Sequence, residues 1–347
     1  PWTIHFDGEP IHDTPPLALW VTASFLRIFG TSEYAARIAF VLFSIGALYA
    51  VFLAGAVRLD DDEAACTWIT RGRACGLLSA IICASSPLFG KFAPHITIHI
   101  PFAFFTVLSL LGWLYLPDKR LGNVLWGIGI AGGLLSGGTA ALLVIPASLL
   151  TLIFDRRRRA IWKSVPFLMV TLAAACVGGI WIVSTALRAP GGFGAGLIAL
   201  SPGKGGASFA HLLGALKTIW LANLPWSIPA ACAIIRMAVA GFKKDRGQGI
   251  SAIDGVLLVF LVVLFVRLVL AKPEGIEIFL PLLPIGAVLS AREIGRWMYA
   301  RRNDLPSAAA GPAFTPADAE GHVCEERLWT LNQALISLFF LLMLLLV

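Results

Sequence analysis

The chain has 347 residues, of which 58% are hydrophobic and 14% charged, and it carries a net charge of +7. Soluble domains carry about 25% charged residues, so this balance excludes an ordinary soluble globule and points to lipid as the solvent. Alternating ten-residue strands of an outer-membrane barrel are missing, and no basic face interleaved with aromatics offers itself to a nucleic acid.

In chain order, residues 1–16 are polar, with prolines and histidines, and read as a loop. Pro16–Gly30 is mostly apolar, opens on prolines that suit a helix start and is interrupted by Arg27. It is short for a crossing, so it is expected to lie at the membrane interface with Trp20 as an anchor. Ser32 and Glu33 read as the next helix start, and Tyr34–Val57 as the first span. Further spans are expected near 74–90, 98–116, 123–137, 139–154, 161–187, 218–240, 251–271, 276–292 and 327–347. The stretch 123–154 is too long for one crossing and breaks at Ser136-Gly137-Gly138-Thr139, which predicts a tight hairpin. Pro1 in place of Met, and an end inside the apolar run Leu335–Val347, predict a fragment truncated at both ends.

The charge excess is first a signal of orientation. With 1–32 outside, the inside loops are 58–73 (Arg58, Arg71, Arg73), 117–122 (Lys119, Arg120), 155–160 (Arg156 to Arg159), 241–250 (Lys243, Lys244, Arg246) and 292–326 (Arg292, Arg296, Arg301, Arg302). The outside loops hold only Lys91, Arg188, Lys204, Lys217 and Lys272. The bias requires that 123–154 be a hairpin and that 16–30 not cross. The six cysteines, Cys66, Cys75, Cys83, Cys176, Cys232 and Cys324, show neither metal spacing nor a disulfide framework.

The unusual polar groups gather on the outside face. The opening loop carries Asp7, Glu9, Asp13, His5 and His12, a set suited to general-base chemistry, to metal binding or simply to a solvated loop. Lys91 is followed by His95 and His99, whose spacing of four would put both on one face of a helix, where two histidines can ligate zinc. Lys272 opens the outside turn Lys272-Pro273-Glu274-Gly275-Ile276-Glu277 and could meet a phosphate as a point charge. Residues 188–217 form a glycine-rich outer loop with Lys204 near its middle.

Asp13-Thr14-Pro15-Pro16-Leu17-Ala18-Leu19-Trp20, followed by Phe29-Gly30-Thr31-Ser32-Glu33-Tyr34-Ala35-Ala36-Arg37, resembles the signature of the protein-mannosyltransferase-like glycosyltransferases. These belong to the glycosyltransferase C superfamily, with the bacterial aminoarabinose transferase acting on lipid A among them. His99-Ile100-Pro101-Phe102, Gly132-Gly133-Leu134-Leu135-Ser136-Gly137-Gly138, Leu224-Pro225-Trp226 and Phe279-Leu280-Pro281-Leu282-Leu283-Pro284 follow in the family's order, so the resemblance covers about residues 1–293. The chain departs from the pattern where His99 replaces an Asp, Gly137 a Lys and Thr14 a phosphate-binding lysine. The family's main catalytic Asp lies upstream of the opening loop.

The resemblance implies inverting transfer of a sugar from a polyprenyl-phosphate donor to a lipid, glycan or protein acceptor at the outer face of a bacterial inner membrane. It implies Asp13 and Asp7 as catalytic carboxylates. His12, Thr14, Arg37, Lys91, His99, Lys204 and Lys272 are the substrate-binding set, and His95 with His99 a candidate pair for a divalent metal. Arg37 is expected to fix the opening loop to the first span. The expected fold is an all-α polytopic bundle of glycosyltransferase C type. It divides into an extracytoplasmic loop and interfacial helix (1–32), a multi-span core (33–293), a cytoplasmic linker (294–326) and a C-terminal transmembrane helix (327–347). Membrane lipids and the polyprenyl-phosphate sugar are the expected partners. The alternatives are a polytopic transporter or flippase, for which corresponding broken helices in two repeats are missing, or a catalytically inactive relative.

Overall fold

The computed structural model describes residues 4–6, 9–11, 15–57, 65–116, 120–153, 158–188, 209–242, 251–270 and 276–303. Strands β1 (Ile4–Phe6) and β2 (Glu9–Ile11) form an antiparallel ribbon in the register Ile4↔Ile11, His5↔Pro10, Phe6↔Glu9. This corrects the reading of 1–16 as loop throughout. Helices follow: α1 (Leu17–Phe29), α2 (Glu33–Gly55), α3 (Ala65–Ser85), α4 (Pro87–Phe92), α5 (His99–Tyr115) and α6 (Leu121–Gly137). A returning limb joins a 3-10 turn (Gly138–Leu143), α7 (Val144–Leu150) and a second 3-10 turn (Thr151–Ile153). Next come α8 (Arg159–Trp162), α9 (Val165–Arg188), α10 (Phe209–Ala222), α11 (Ser227–Phe242), α12 (Ala252–Leu270), a 3-10 turn (Ile276–Phe279) and α13 (Leu282–Asn303). The chain divides into Pro1–Arg296 and Trp297–Val347. Within the second unit only 297–303, the last turns of α13, are described.

Local rules explain the ends of α2. Ser32 is extended, and its hydroxyl accepts from the Ala35 backbone N–H at 3.2 Å, which satisfies one of the first-turn donors. Glu33 sits in the first turn, where the helix dipole favours an anion. The expected span 218–240 is instead two helices, α10 and α11, separated at 223–226. Pro225 lacks the N–H that a continuous helix would use.

Helices α5, α6 and α9 make the tightest part of the bundle, and small residues let them approach. A Cβ on Gly129 of α6 would lie 2.6 Å from the Ser109 backbone nitrogen of α5, and one on Gly112 would lie 2.4 Å from the Trp126 nitrogen. Without a hydrophobic drive between helices in lipid, close backbone packing carries association. Gly129→Ala is expected to cost about 1–3 kcal/mol through overpacking. Gly179→Ala on α9, where an added methyl meets nothing within 4 Å, should cost none. Thermal melting in detergent separates the two, and equal midpoints would refute this account of the packing.

The hairpin expected at Gly137-Gly138 forms. Gly138 takes φ +59°, a conformation that suits glycine. A methyl added at Gly133 would meet the Ala141 Cβ at 3.0 Å, whereas a continuous helix would separate those positions by about 12 Å along its axis. At the foot of the returning limb, Thr151 Oγ1 accepts from Trp113 Nε1 at 3.1 Å. Trp113, Trp126 and Phe167 are fully buried, with ring centroids 5.5–5.9 Å apart. Arg158, expected among loop charges, is instead buried here. It donates to the Trp113 carbonyl, and its guanidinium lies 5.4 Å from that ring. The linker read over 294–326 also begins later, because α13 runs through Asn303. The expected C-terminal span 327–347 lies outside the described residues.

Candidate functional site

The site is built at the end of the bundle where α1 begins. Pro15 and Pro16 are buried, and Pro16 caps α1, its carbonyl accepting from the Trp20 N–H at 2.9 Å. Ala18 packs with Ala39 and Phe40 of α2, flanked by Val21, Phe25 and Ile98. A β-carbon on Gly138 would lie 3.8 Å from Pro15. The start of α1 is therefore wedged between the first turns of α2, the approach to α5 and the α6 hairpin tip.

The approach to α5 is pinned as well. Ser44 of α2 donates its hydroxyl to the Ala93 carbonyl at 3.0 Å. Lys91 is exposed in the last turn of α4, its ammonium 5.1 Å from the Phe92 ring centroid. His95 is exposed, with its ring edge-on to Phe92 at 5.9 Å. His99 opens α5, its backbone N–H donating to Thr97 Oγ1 at 3.3 Å, and Glu277 of the 3-10 turn before α13 lies within electrostatic reach of its imidazole. At the same end, Ser86 donates to Asn223 Oδ1 at 2.7 Å in a buried contact that joins the α3–α4 junction to the break after α10.

One expectation changes. Helix α4 ends at Phe92 and α5 starts at His99, so His95 and His99 do not share a helix face, and the geometric basis for pairing them on a metal is lost. No group of three metal-ligating side chains occurs among the described residues. Arg37 pairs with Glu33 one turn away on α2, an exposed i, i+4 contact; most of the opening loop that it is expected to fix lies outside the described residues. Asp7, His12, Asp13, Thr14, Lys204 and Lys272 lie outside the described residues. The sequence reading passed over the Asn223–Ser86 contact and gave Glu277 no role. A buried asparagine beside the Pro225 break was the available signal for the first.

Residues 13–182 match the family described as dolichyl-phosphate-mannose-protein mannosyltransferase. The match runs from the double-proline motif into α9, just under half of the chain, and the chain has the helical fold of the solved structures that follow. Among solved structures it is similar to ArnT from Cupriavidus metallidurans bound to undecaprenyl phosphate. The TM-score is 0.65 at 15% identity, covering 90% of this chain and 54% of that one. The apo state of the same protein gives 0.63 at 16%, with 89% and 53% covered. The chain thus spans about half the length of ArnT. No curated protein matches it by sequence. Among the described residues, three helical runs are long and apolar enough to cross a membrane: Glu33–Gly55, Leu121–Ile153 (which reverses at Gly138) and Val165–Ser184. The protein is a multi-pass membrane protein.

Proposed function

We propose that this chain carries the site of an inverting glycosyltransferase that takes a sugar from a polyprenyl-phosphate carrier at the outer face of a bacterial inner membrane and passes it to a lipid, glycan or protein acceptor. The observation that carries the reading is the seating of the double-proline motif. Pro15 and Pro16 are buried at one end of the bundle, beside the hairpin tip, and Ile98 packs against the cluster around Ala18. The family match begins at Asp13, two residues before Pro15. A similar fold in ArnT accommodates undecaprenyl phosphate.

In this reading Asp13, with Asp7 as the second carboxylate, takes the proton from the acceptor hydroxyl or amine. The acceptor atom attacks the anomeric carbon from the face opposite the carrier, and the bond to the phosphate oxygen breaks with its electron pair leaving on the phosphate. A cation facing that oxygen lowers the barrier because it meets charge as it develops. Lys91 is an exposed cation at this end. Lys204 and Lys272 are further cationic candidates, and His12, Thr14 and His99 are neutral hydrogen-bonding groups for the carrier or the sugar. Arg37 orders the start of α2 through Glu33. The test is transfer of a labelled sugar from a polyprenyl-phosphate donor by the protein expressed from its whole gene. Donor uptake into liposomes without transfer would favour a transporter.

A further inference from the structure

A second polar cluster lies at the opposite end of the bundle, on α11, α12 and α13. Arg292 Nε donates to Asp254 Oδ1 at 2.7 Å, and Arg236 Nη2 donates to Asp254 Oδ2 at 3.1 Å, where Arg296 also donates. Glu293 Oε2 accepts from Arg236 Nε and from Arg296 Nη1, each at 3.0 Å. Cys75 of α3 lies within electrostatic reach of Arg292, Arg296 and Asp254. Its neighbour Gly76 packs on the last turns of α2, far from the end that holds α1.

Burial in this cluster is unequal. The Asp254 and Glu293 side chains are 0% and 5% exposed, whereas Arg236 and Arg296 are each 34% exposed. Three guanidiniums against two carboxylates leave one positive charge uncompensated among these side chains. The acids are enclosed, so what the cluster turns outward is cationic. Each guanidinium carries five N–H donors, and the contacts above use only two nitrogens of Arg236 and two of Arg296. An uncompensated charge in or beside hydrocarbon is costly, and planar guanidinium forks match phosphate oxygens.

From this arrangement we infer a phosphate-binding site, in which Asp254 and Glu293 hold the arginines in place and the outward N–H edges of Arg236 and Arg296 take the oxygens. The phosphate can come from an anionic glycerophospholipid headgroup, which basic pockets between membrane helices accept, or from free phosphate. The inference is independent of the transferase reading.

The test uses the protein expressed from its whole gene, delipidated in a nonionic detergent. It is titrated with dioleoyl phosphatidylglycerol, with dioleoyl phosphatidylcholine and with inorganic phosphate, and read by native mass spectrometry and by melting temperature. Retention of phosphatidylglycerol over phosphatidylcholine is expected, and a rise in melting temperature with inorganic phosphate as well would assign the site to the free anion. Arg236→Gln and Arg296→Gln should each weaken binding about tenfold by removing charge-assisted hydrogen bonds. Arginine variants that bind like the unaltered protein, or no preference for either phosphate source over phosphatidylcholine, overturn the site. Where an arginine variant does not fold, the titrations of the unaltered protein decide, and the absence of that preference overturns the site.

Discussion

Asp13→Asn is expected to lower sugar transfer by about 10²- to 10⁴-fold, the usual contribution of a positioned general base. Asparagine keeps the size and hydrogen-bonding reach of the carboxylate but cannot accept the acceptor's proton. The loss should therefore fall on kcat, with KM for the donor little changed, because an interaction made in the transition state alone is being removed. The neighbouring double proline makes the variant informative. Pro15 and Pro16 are buried at the start of α1, so the backbone at position 15 is held by packing that the exchange leaves in place. Initial rates with a labelled polyprenyl-phosphate sugar decide the matter. A rate equal to that of the unaltered protein removes Asp13 from the chemistry and transfers the role to another carboxylate.

Trp126→Ala should be the most damaging single truncation of the bundle, at about 3–5 kcal/mol. Trp126 is fully buried between Trp113 and Phe167, and its indole N–H donates to Thr171 Oγ1 at 3.0 Å. The exchange opens a cavity where α5, α6 and α9 meet and takes a hydrogen-bond donor from Thr171. In lipid the lost dispersion contacts are not offset by any change in hydrophobic drive. Urea or heat unfolding in detergent, followed by the remaining tryptophans, measures the cost. A midpoint within error of the unaltered protein would mean that the aromatic group is not what ties these helices together.

Much of the bundle was readable from local rules. Ser32-Glu33 announced the start of α2, because a side-chain acceptor and an anion at a helix N-terminus act over one turn. The Gly137-Gly138 reversal was readable because a stretch too long for one crossing must turn somewhere, and glycine is where a positive φ costs least. Other features were legible but passed over. The Asp7-Gly8 pair lies between Phe6 and Glu9, which are matched in the ribbon, and Asp-Gly between short apolar runs is a strong hairpin signal. Pro225 inside an apolar run argued for the break between α10 and α11. The charged cluster was harder. Arg236 stood alone in its apolar stretch and Asp254 shared its own only with Arg267, and only the packing of three successive helices shows that Arg292 and Arg296 belong with them. Likewise, nothing local links His99 to Glu277, since their approach depends on how the start of α5 meets the turn before α13.

The two helices flanking the proposed catalytic end are short. Each of α5 and α6 has 17 residues, which rise about 25 Å, less than the roughly 30 Å of a hydrocarbon core. Their neighbour α2, with 23 residues, rises about 34 Å. Helix α5 is enclosed, but Leu121, Val124 and Ile128 of α6 are exposed, and a bilayer that meets both α6 and α2 can be drawn in beside the shorter helix, since thinning is one way a membrane relieves hydrophobic mismatch. Such a dimple would bring headgroups and water down towards the hairpin tip, shortening the path from a carrier's phosphate to a water-borne acceptor.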